Sequence, residues 1–361
     1  MRLIEEILRI DFDMKRVLFF THSLTKGAGI ERMTSSLTNA LAEEGLGIRI
    51  VVLSSAVESF YRLNEGIEVA SLGVNKFLSL QSIFNLRKII KEWKPDYIIN
   101  SGVQMSMTSI LSSVGSSCKV ITWEHFFLKA GSKWGYLMRI FSVIFSFKQI
   151  VLTETDLFDY PKLFRKKIIP ISNFSVIDSH KISDLTHHVV LAVGRLDYIK
   201  GFDRLLKVWA LCLQKRADWK LYIVGSGAEE CTLKKLSVEL DITDHVCFVP
   251  NTRDISTYYS RSSIYAMSSR YEGLPMVLIE AKSFGLPCVA FDCPNGPRSI
   301  IRDGVDGLLV KDGDEDAYSQ ALVGLMDNLD KRILYSDNAY KDFEDRFTKK
   351  SIIDKWMSIL K

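Results

Sequence analysis

The chain has 361 residues, 47% hydrophobic and 25% charged, with a formal net charge of +4. This is a globular composition with room for two cores of ordinary size, and the charge is too small to point to nucleic acid. The six cysteines are scattered singly, with no C-x-x-C pair, which argues against a zinc site or a disulfide framework and for thiols in a reducing, cytoplasmic compartment.

No apolar run approaches the length of a membrane span. The opening MRLIEEILRIDFD carries acids inside its apolar stretch and is a poor secretory signal. Leu3, Ile4, Ile7 and Leu8 would share a helical face. Residues 1–13 therefore read either as a short docking helix or as an extension ahead of Met14-Lys15-Arg16.

The apolar run 17–20 suits a buried parallel strand. It leads into Lys26-Gly27-Ala28-Gly29-Ile30-Glu31-Arg32 and a helix pattern over 31–44, closed by Gly45. Strand, glycine loop and helix form a phosphate-binding layout of doubly wound folds, although Arg32 stands where the dinucleotide fingerprint needs its third glycine. A turn for close strand–helix packing is the other reading of this loop. Further strands are predicted at 48–53, 67–71, 97–100 and 119–123, with a helix at 82–92. The strand ends should line a ligand cleft. The last of them delivers Glu124 and His125, and His125 reads either as a structural histidine or as a contact to a sugar or acceptor.

The stretch 126–148, FFLKAGSKWGYLMRIFSVIFSFK, is dense in aromatic and aliphatic residues. It holds Lys129, Lys133, Arg139 and Lys148 and no acid. Two readings stand: a basic, aromatic surface for an anionic membrane or a lipid-linked acceptor, or a loop followed by an ordinary buried helix. Strands follow at 149–152 and 168–171, with a helix start at 153–156. A polar linker is expected over 173–188, between an N-terminal domain (1–172) and a C-terminal one (189–347).

The second half repeats the layout. A strand at 189–193 ends in Gly194-Arg195-Leu196-Asp197-Tyr198-Ile199-Lys200-Gly201. Arg195 and Lys200 flank a turn at a strand's carboxyl end, where two cations can neutralise a diphosphate leaving group. Strand 221–224 leads into Gly225-Ser226-Gly227, again without a third glycine, so a nicotinamide dehydrogenase is the weakest reading. Strand 246–249 leads to Asn251, which in such folds faces a nucleotide base. A helix at 255–260 and a strand at 264–267 deliver SSRYEGLPMVLIEAKSFGLP. There Gly273 precedes a helix with Pro275 in its first turn. Glu272 lies before the helix start and Glu280 about two turns in. Unpaired N–H groups and the dipole make that start, around Gly273, Leu274, Pro275 and Met276, a natural anion site. The two carboxylates could take sugar and ribose hydroxyls; as alternatives, Glu272 is a helix cap and Glu280 a solvated helix residue. Strand 288–291, a turn at Gly304 and Gly307, strand 308–310 and helices at 314–329, 330–347 and 351–360 complete the chain.

The run E-G-L-P-M-V-L-I-E-A, with G-L-P-C-V-A and G-P-R-S-I-I-x-D-G-V-D-G-L-L-V after it, resembles the retaining glycosyltransferases of family 4. The resemblance implies an α/β GT-B fold: two Rossmann-like doubly wound domains facing a central cleft, with residues 348–361 crossing back to the first. It likens the 27–32 loop to that family's G-G-x-E-R loop, with Gly29, Glu31 and Arg32 matching and Ala28 departing. It implies donor phosphates on Arg195 and Lys200, and hexose-type transfer from a nucleotide-diphosphate sugar, UDP-sugar favoured, to a saccharide or lipid-linked saccharide. Cell-surface polysaccharide or glycolipid assembly would be the setting. The catalytic set is then Glu272, Arg195, Lys200 and His125; the donor set is Gly29, Arg195, Lys200, Asn251, Glu272, Gly273, Leu274, Pro275, Met276 and Glu280. No cofactor or metal is expected, because Asp11-Phe12-Asp13 and Asp312-Gly313-Asp314 do not end cleft strands. A nucleotide-sugar epimerase or sugar phosphorylase on the same fold, or a non-catalytic nucleotide-sugar-binding protein, are the alternatives.

Overall fold

The computed structural model describes residues 14–128, 131–177, 182–294 and 296–361. The chain forms two compact units, one running up to Asn173 and including Ile352–Lys361, the other Phe174–Ser351.

The first unit carries a parallel sheet of β1 (Arg16–Thr21), β2 (Gly47–Val52), β3 (Glu68–Ser71), β4 (Tyr97–Ser101), β5 (Lys119–Trp123), β6 (Lys148–Val151) and β7 (Ile168–Pro170). Their spatial order is β3-β2-β1-β4-β5-β6-β7. The crossovers hold α1 (Gly29–Glu43), α2 (Leu80–Trp93), α3 (Ser106–Ser113), α4 (Lys133–Phe145) and α5 (Glu154–Asp159). Central strands are apolar at successive positions because both faces are covered. Leu18, Phe20, Val51 and Ile98 meet Leu86 and Ile90 of α2 on one side. Thr153 starts α5 with a capping box, exchanging bonds with Asp156.

The second unit carries β8 (Val189–Val193), β9 (Lys220–Val224), β10 (Val246–Val249), β11 (Ile264–Met267), β12 (Cys288–Phe291) and β13 (Gly307–Val310) in the order β10-β9-β8-β11-β12-β13. Around them lie α6 (Phe202–Leu213), α7 (Glu230–Glu239), α8 (Ile255–Ser260), α9 (Met276–Ser283), α10 (Pro297–Ile300), α11 (Glu315–Met326) and α12 (Leu329–Arg346). One core packs Leu206 and Trp209 of α6 with Tyr318 of α11. The other packs Leu278 and Phe284 with Tyr259 and Tyr265. The last helix, α13 (Lys349–Ile359), sets Trp356 edge-on to Trp123 at 5.7 Å, and the Tyr97 hydroxyl donates to the Lys361 carbonyl at 3.1 Å.

Strand order reverses between β1 and β4 and between β8 and β11. Loops leaving the carboxyl ends at such points are where this architecture binds ligands. The segment expected as a linker is largely part of the second unit. Ser183 donates to the Ser262 carbonyl, and Leu185 is buried in the core with Leu191 and Phe284. Its polar composition hid these few anchors. Residues 1–13, with Leu3, Ile4, Ile7 and Leu8, lie outside the described residues.

Candidate active site

The turn after β8 is organised by Asp197. One of its oxygens accepts from the Lys200 N–H at 3.1 Å, and the other from Arg195 Nε at 2.6 Å. The same side chain therefore shapes the loop and orients an otherwise exposed guanidinium. Lys200 turns back toward β11, and its Nζ lies 2.7 Å from Glu272 Oε1. Ser269 Oγ donates to that same oxygen at 2.7 Å.

Gly201 has φ 65°, and a Cβ there would come within 2.2 Å of the Ser268 carbonyl oxygen. Only a glycine lets the two loops approach this closely. They are sewn together on either side of it. Ser268 Oγ donates to the Lys200 carbonyl at 3.1 Å, the Arg270 N–H donates to the Ile199 carbonyl at 2.8 Å, and Arg204 donates to the carbonyls of Ser268 and Ser269. Arg270 grips Asp203 through two bonds of 2.8 and 2.7 Å, the planar fork geometry that an arginine offers a carboxylate.

The motif helix α9 begins at Met276, with Pro275 at the capping position rather than inside the first turn. No side chain caps it and no acid lies in its first turn, so its start is open to an anion. Gly296, at φ 89°, packs against the loop that leads into this start; a Cβ there would lie 2.7 Å from Pro275 and 2.9 Å from the Gly273 carbonyl. Leu274 and Met276 pack their side chains on the core behind. Glu272 is not a helix cap, since its carboxylate is held by Lys200 and Ser269.

Glu280 is the fifth residue of α9, one turn in rather than two, and it is not solvated: the residue is 4% exposed. Its Oε2 accepts from the Tyr259 hydroxyl at 3.1 Å. Burial, and then the nearby Glu280, hold the Tyr259 phenol well above its ordinary pKa. Asn251 is exposed after β10, and its N–H donates to Ser226 Oγ at 3.2 Å. The Ser226 carbonyl in turn accepts from the Leu196 N–H at 3.1 Å. The loops after β8, β9, β10 and β11 thus form one connected edge, bringing together Arg195, Lys200, Asn251, Glu272 and the start of α9.

Gly29 and His125 belong to the first unit. Gly29 opens α1, which has no side-chain cap, and a Cβ on it would meet nothing within 4 Å. Close packing is therefore not what the position requires. His125 follows β5, packed against Trp123 with ring centroids 4.4 Å apart and the planes tilted by 52°. It is buried, its Nε2 has no partner among the described residues, and burial lowers its pKa to about 4. The ring is neutral near pH 7. Beside it, burial raises Glu124 to about 7, against the opposing pull of Arg139.

That arginine corrects an expectation. Arg139 is not a surface cation; it is buried on α4, with Nε 3.2 Å from Glu124 Oε2, close but not aligned as a hydrogen bond. Lys148 is half-buried and its Nζ donates to the Lys166 carbonyl at 3.2 Å. Lys129 lies outside the described residues. Of the two D-x-D strings, Asp312 pairs with Arg204 at 2.8 Å and Asp314 caps α11, while Asp11 and Asp13 lie outside the described residues.

Reading the sequence missed the residues that position the others: Asp197, Ser269, Arg204, Arg270 and Tyr259. Asp197 had a signal, an Asp three residues before the N–H that it caps. Lys282 had none. It is fully buried, with Nζ 3.1 Å from Asp306, 2.6 Å from Asp342 and 2.8 Å from the Ile300 carbonyl. It ties the rear of α9 to α10, to α12 and to the turn before β13.

Residues 177–342 match the family described as glycosyl transferases group 1. An uncharacterized glycosyltransferase of Haemophilus influenzae is 34% identical, over 96% of this chain and 100% of its own length. A Campylobacter jejuni relative, 28% identical over 96% of this chain and 98% of its own, is an α-1,4-N-acetylgalactosaminyltransferase acting on a diNAcBac-PP-undecaprenol-linked GalNAc disaccharide. Among solved structures, Anabaena HepE in complex with UDP matches with a TM-score of 0.80 and 18% identity, over 96% of this chain and 99% of that one. The fold is the two-sheet α/β arrangement of the GT-B glycosyltransferases, and the chain belongs to the group 1 glycosyl transferases.

Proposed function

We propose that this glycosyltransferase is a retaining, metal-independent enzyme of family 4. It would move a hexose-type sugar from a nucleotide-diphosphate donor, UDP-sugar favoured, to a saccharide or lipid-linked saccharide in cell-surface polysaccharide or glycolipid assembly. The observation that carries this reading is the Lys200–Glu272 pair at 2.7 Å beside the uncapped start of α9. An ammonium, an exposed guanidinium on Arg195 and a helix N-terminus converge where a diphosphate would gain charge.

In the transfer, the bond from the anomeric carbon to the diphosphate breaks and its electron pair leaves with the diphosphate. Lys200, Arg195 and the backbone at Gly273 and Leu274 stabilise that charge more than they stabilise the intact donor, which is what lowers the barrier. Glu272, anchored by Ser269, accepts from sugar hydroxyls. Glu280 meets the ribose, and Asn251 the base. Retention follows from attack by the acceptor hydroxyl on the same face that the diphosphate leaves, its proton passing to the departing phosphate oxygen. Neutral His125, with an unpaired ring nitrogen, suits a hydroxyl of sugar or acceptor better than a phosphate. A lipid-linked acceptor, as in the Campylobacter jejuni relative's name, would place the enzyme at the cytoplasmic face of a membrane.

The test is transfer from a UDP-sugar to a saccharide acceptor in excess EDTA, with the product's anomeric configuration read by NMR. Activity with retained configuration is expected. Loss in EDTA with rescue by manganese or magnesium removes the metal-independent reading, an inverted product removes retention, and epimerised donor without acceptor removes transfer.

A further inference from the structure

We propose that the outer face of α4, with the basic turn Lys162–Lys167 beside it, docks the first unit on an anionic lipid bilayer. The face is built from Trp134, Leu137, Ile144 and Phe145, with Phe141 half-buried among them. Trp134 is 65% exposed, Leu137 56% and Phe145 58%. Their spacing keeps them on one stripe of a helix. The opposite stripe, Met138, Arg139, Ser142 and Val143, is buried. A helix packed on a sheet normally turns charge to the water; on this exposed stripe the flanking charge is Lys133.

The cations lie next door rather than on the helix. Leu163 is 83% exposed at the crest of the turn, between exposed Lys162 and Lys166. The turn is fixed to the end of α4, because Lys167 Nζ donates to the Ile144 carbonyl at 2.6 Å and to the Ser146 carbonyl at 3.2 Å. Phe164 packs in the same cluster as Ile140 and Val143. Stripe and cations therefore form one surface held by tertiary contacts. From Phe126 to Thr153 the sequence has no acid. Glu154 and Asp159 of α5 are exposed nearby, against Lys133, Lys162, Arg165, Lys166 and Lys167.

An apolar stripe with an interfacial tryptophan, rimmed by cations, fits a bilayer with anionic headgroups. A second copy fits less well, since a twofold contact through this face would bring the same lysines together. The proposal deepens the reading of a lipid-linked acceptor but is tested without it; transfer to a soluble acceptor can stand if docking fails.

The experiment is flotation of the full chain with vesicles of phosphatidylcholine, alone or with about one-third phosphatidylglycerol, at low and high salt. Two variants accompany it, Leu137→Gln/Ile144→Gln and Lys162→Gln/Lys166→Gln, all at exposed side chains, with melting temperature as the folding control. The chain is expected to float with anionic vesicles at low salt and to be released by salt. The lysine variant should lower the partition coefficient about tenfold to thirtyfold, and the apolar variant by at least as much. No binding at low salt overturns the proposal, as does binding unchanged in both variants. A dimer in solution that Leu137→Gln/Ile144→Gln dissolves, without vesicle binding, assigns the face to a second copy instead.

Discussion

At the carboxyl ends of β8 and β11 the polar side chains are paired and anchored: Arg195 on Asp197, Lys200 on Glu272, Arg270 on Asp203. At the carboxyl end of β5 they are buried, with Glu124 raised to about 7 beside Arg139 and His125 lowered to about 4. Both edges belong to the same kind of parallel sheet, so topology does not set the difference. Solvation does. The loops after β8 and β11 keep Arg195 and Asp203 near water and tie their charges with short bonds, an arrangement ready for a polyanion. The end of β5 withdraws Glu124 and His125 from water, which penalises their charged forms and suits hydroxyls better than phosphates.

Substitutions at charged groups of the two units should separate these environments. Removing Lys282 strips the shared cation from two buried aspartates, and loss of one partner of a buried ion pair typically costs about 3–5 kcal/mol. Lys282→Ala should therefore lower the denaturant midpoint severely. Arg302 and Arg346 also approach Asp342, at 3.6 and 3.2 Å. A midpoint close to that of the unaltered chain would mean that these two carry the cluster without the lysine.

Arg195→Ala and Lys200→Ala should each slow transfer by roughly a hundredfold to a thousandfold, as loss of a single transition-state charge donor does elsewhere. Lys200→Ala should show the greater loss, because it also releases Glu272. Initial rates at saturating donor decide this, and near-normal rates in both variants would remove the pair from the reaction.

The third change concerns pH. Glu124 has a folded pKa above its ordinary 4.5, so its contribution to stability is full below pH 4.5 and is lost as pH rises toward about 7. His125 has a folded pKa below its ordinary 6.5, so its contribution is full above pH 6.5 and is lost as pH falls toward about 4. The two slopes oppose each other across the overlap. Glu124→Gln should leave stability rising with pH through that window, and His125→Gln should leave it falling, each by on the order of a few kcal/mol. Urea unfolding at a series of pH values reads both; parallel slopes in the two variants would contradict the assignment.

Much of this architecture was legible in the sequence, because apolar runs punctuated by glycine and polar strand ends mark parallel strands wherever both faces are buried. The strands at Lys119–Trp123, Val189–Val193, Val246–Val249, Ile264–Met267 and Cys288–Phe291 begin and end where the pattern places them. The placement of Arg195, Lys200 and Glu272 on loops was legible for a related reason, since each lies beyond the end of such a strand. What was not legible depends on partners distant in the chain. Arg139 looks like a surface cation until Glu124, fifteen positions earlier, is seen beneath it, and nothing in a period of two or 3.6 residues encodes that meeting. Lys282 finds Asp306 and Asp342 in the same way. Glu280 was placed by counting turns from a helix start that Pro275 displaces by one residue. The cations flanking α4 were sought inside the helix's own stretch, whereas the fold supplies most of them from the turn after α5.

In the proposed reaction the loops after β8 and β11 hold the donor's diphosphate. Thermal melting of the unaltered chain and of Lys200→Ala, each with UDP-, GDP- and ADP-sugars, tests it most directly. A donor at one hundred times its dissociation constant stabilises by about 2.7 kcal/mol. A clear rise in melting temperature with one nucleotide-sugar class, UDP-sugars foremost, and its loss in Lys200→Ala is the predicted result. No shift with any donor, or an equal shift in both proteins, would contradict it.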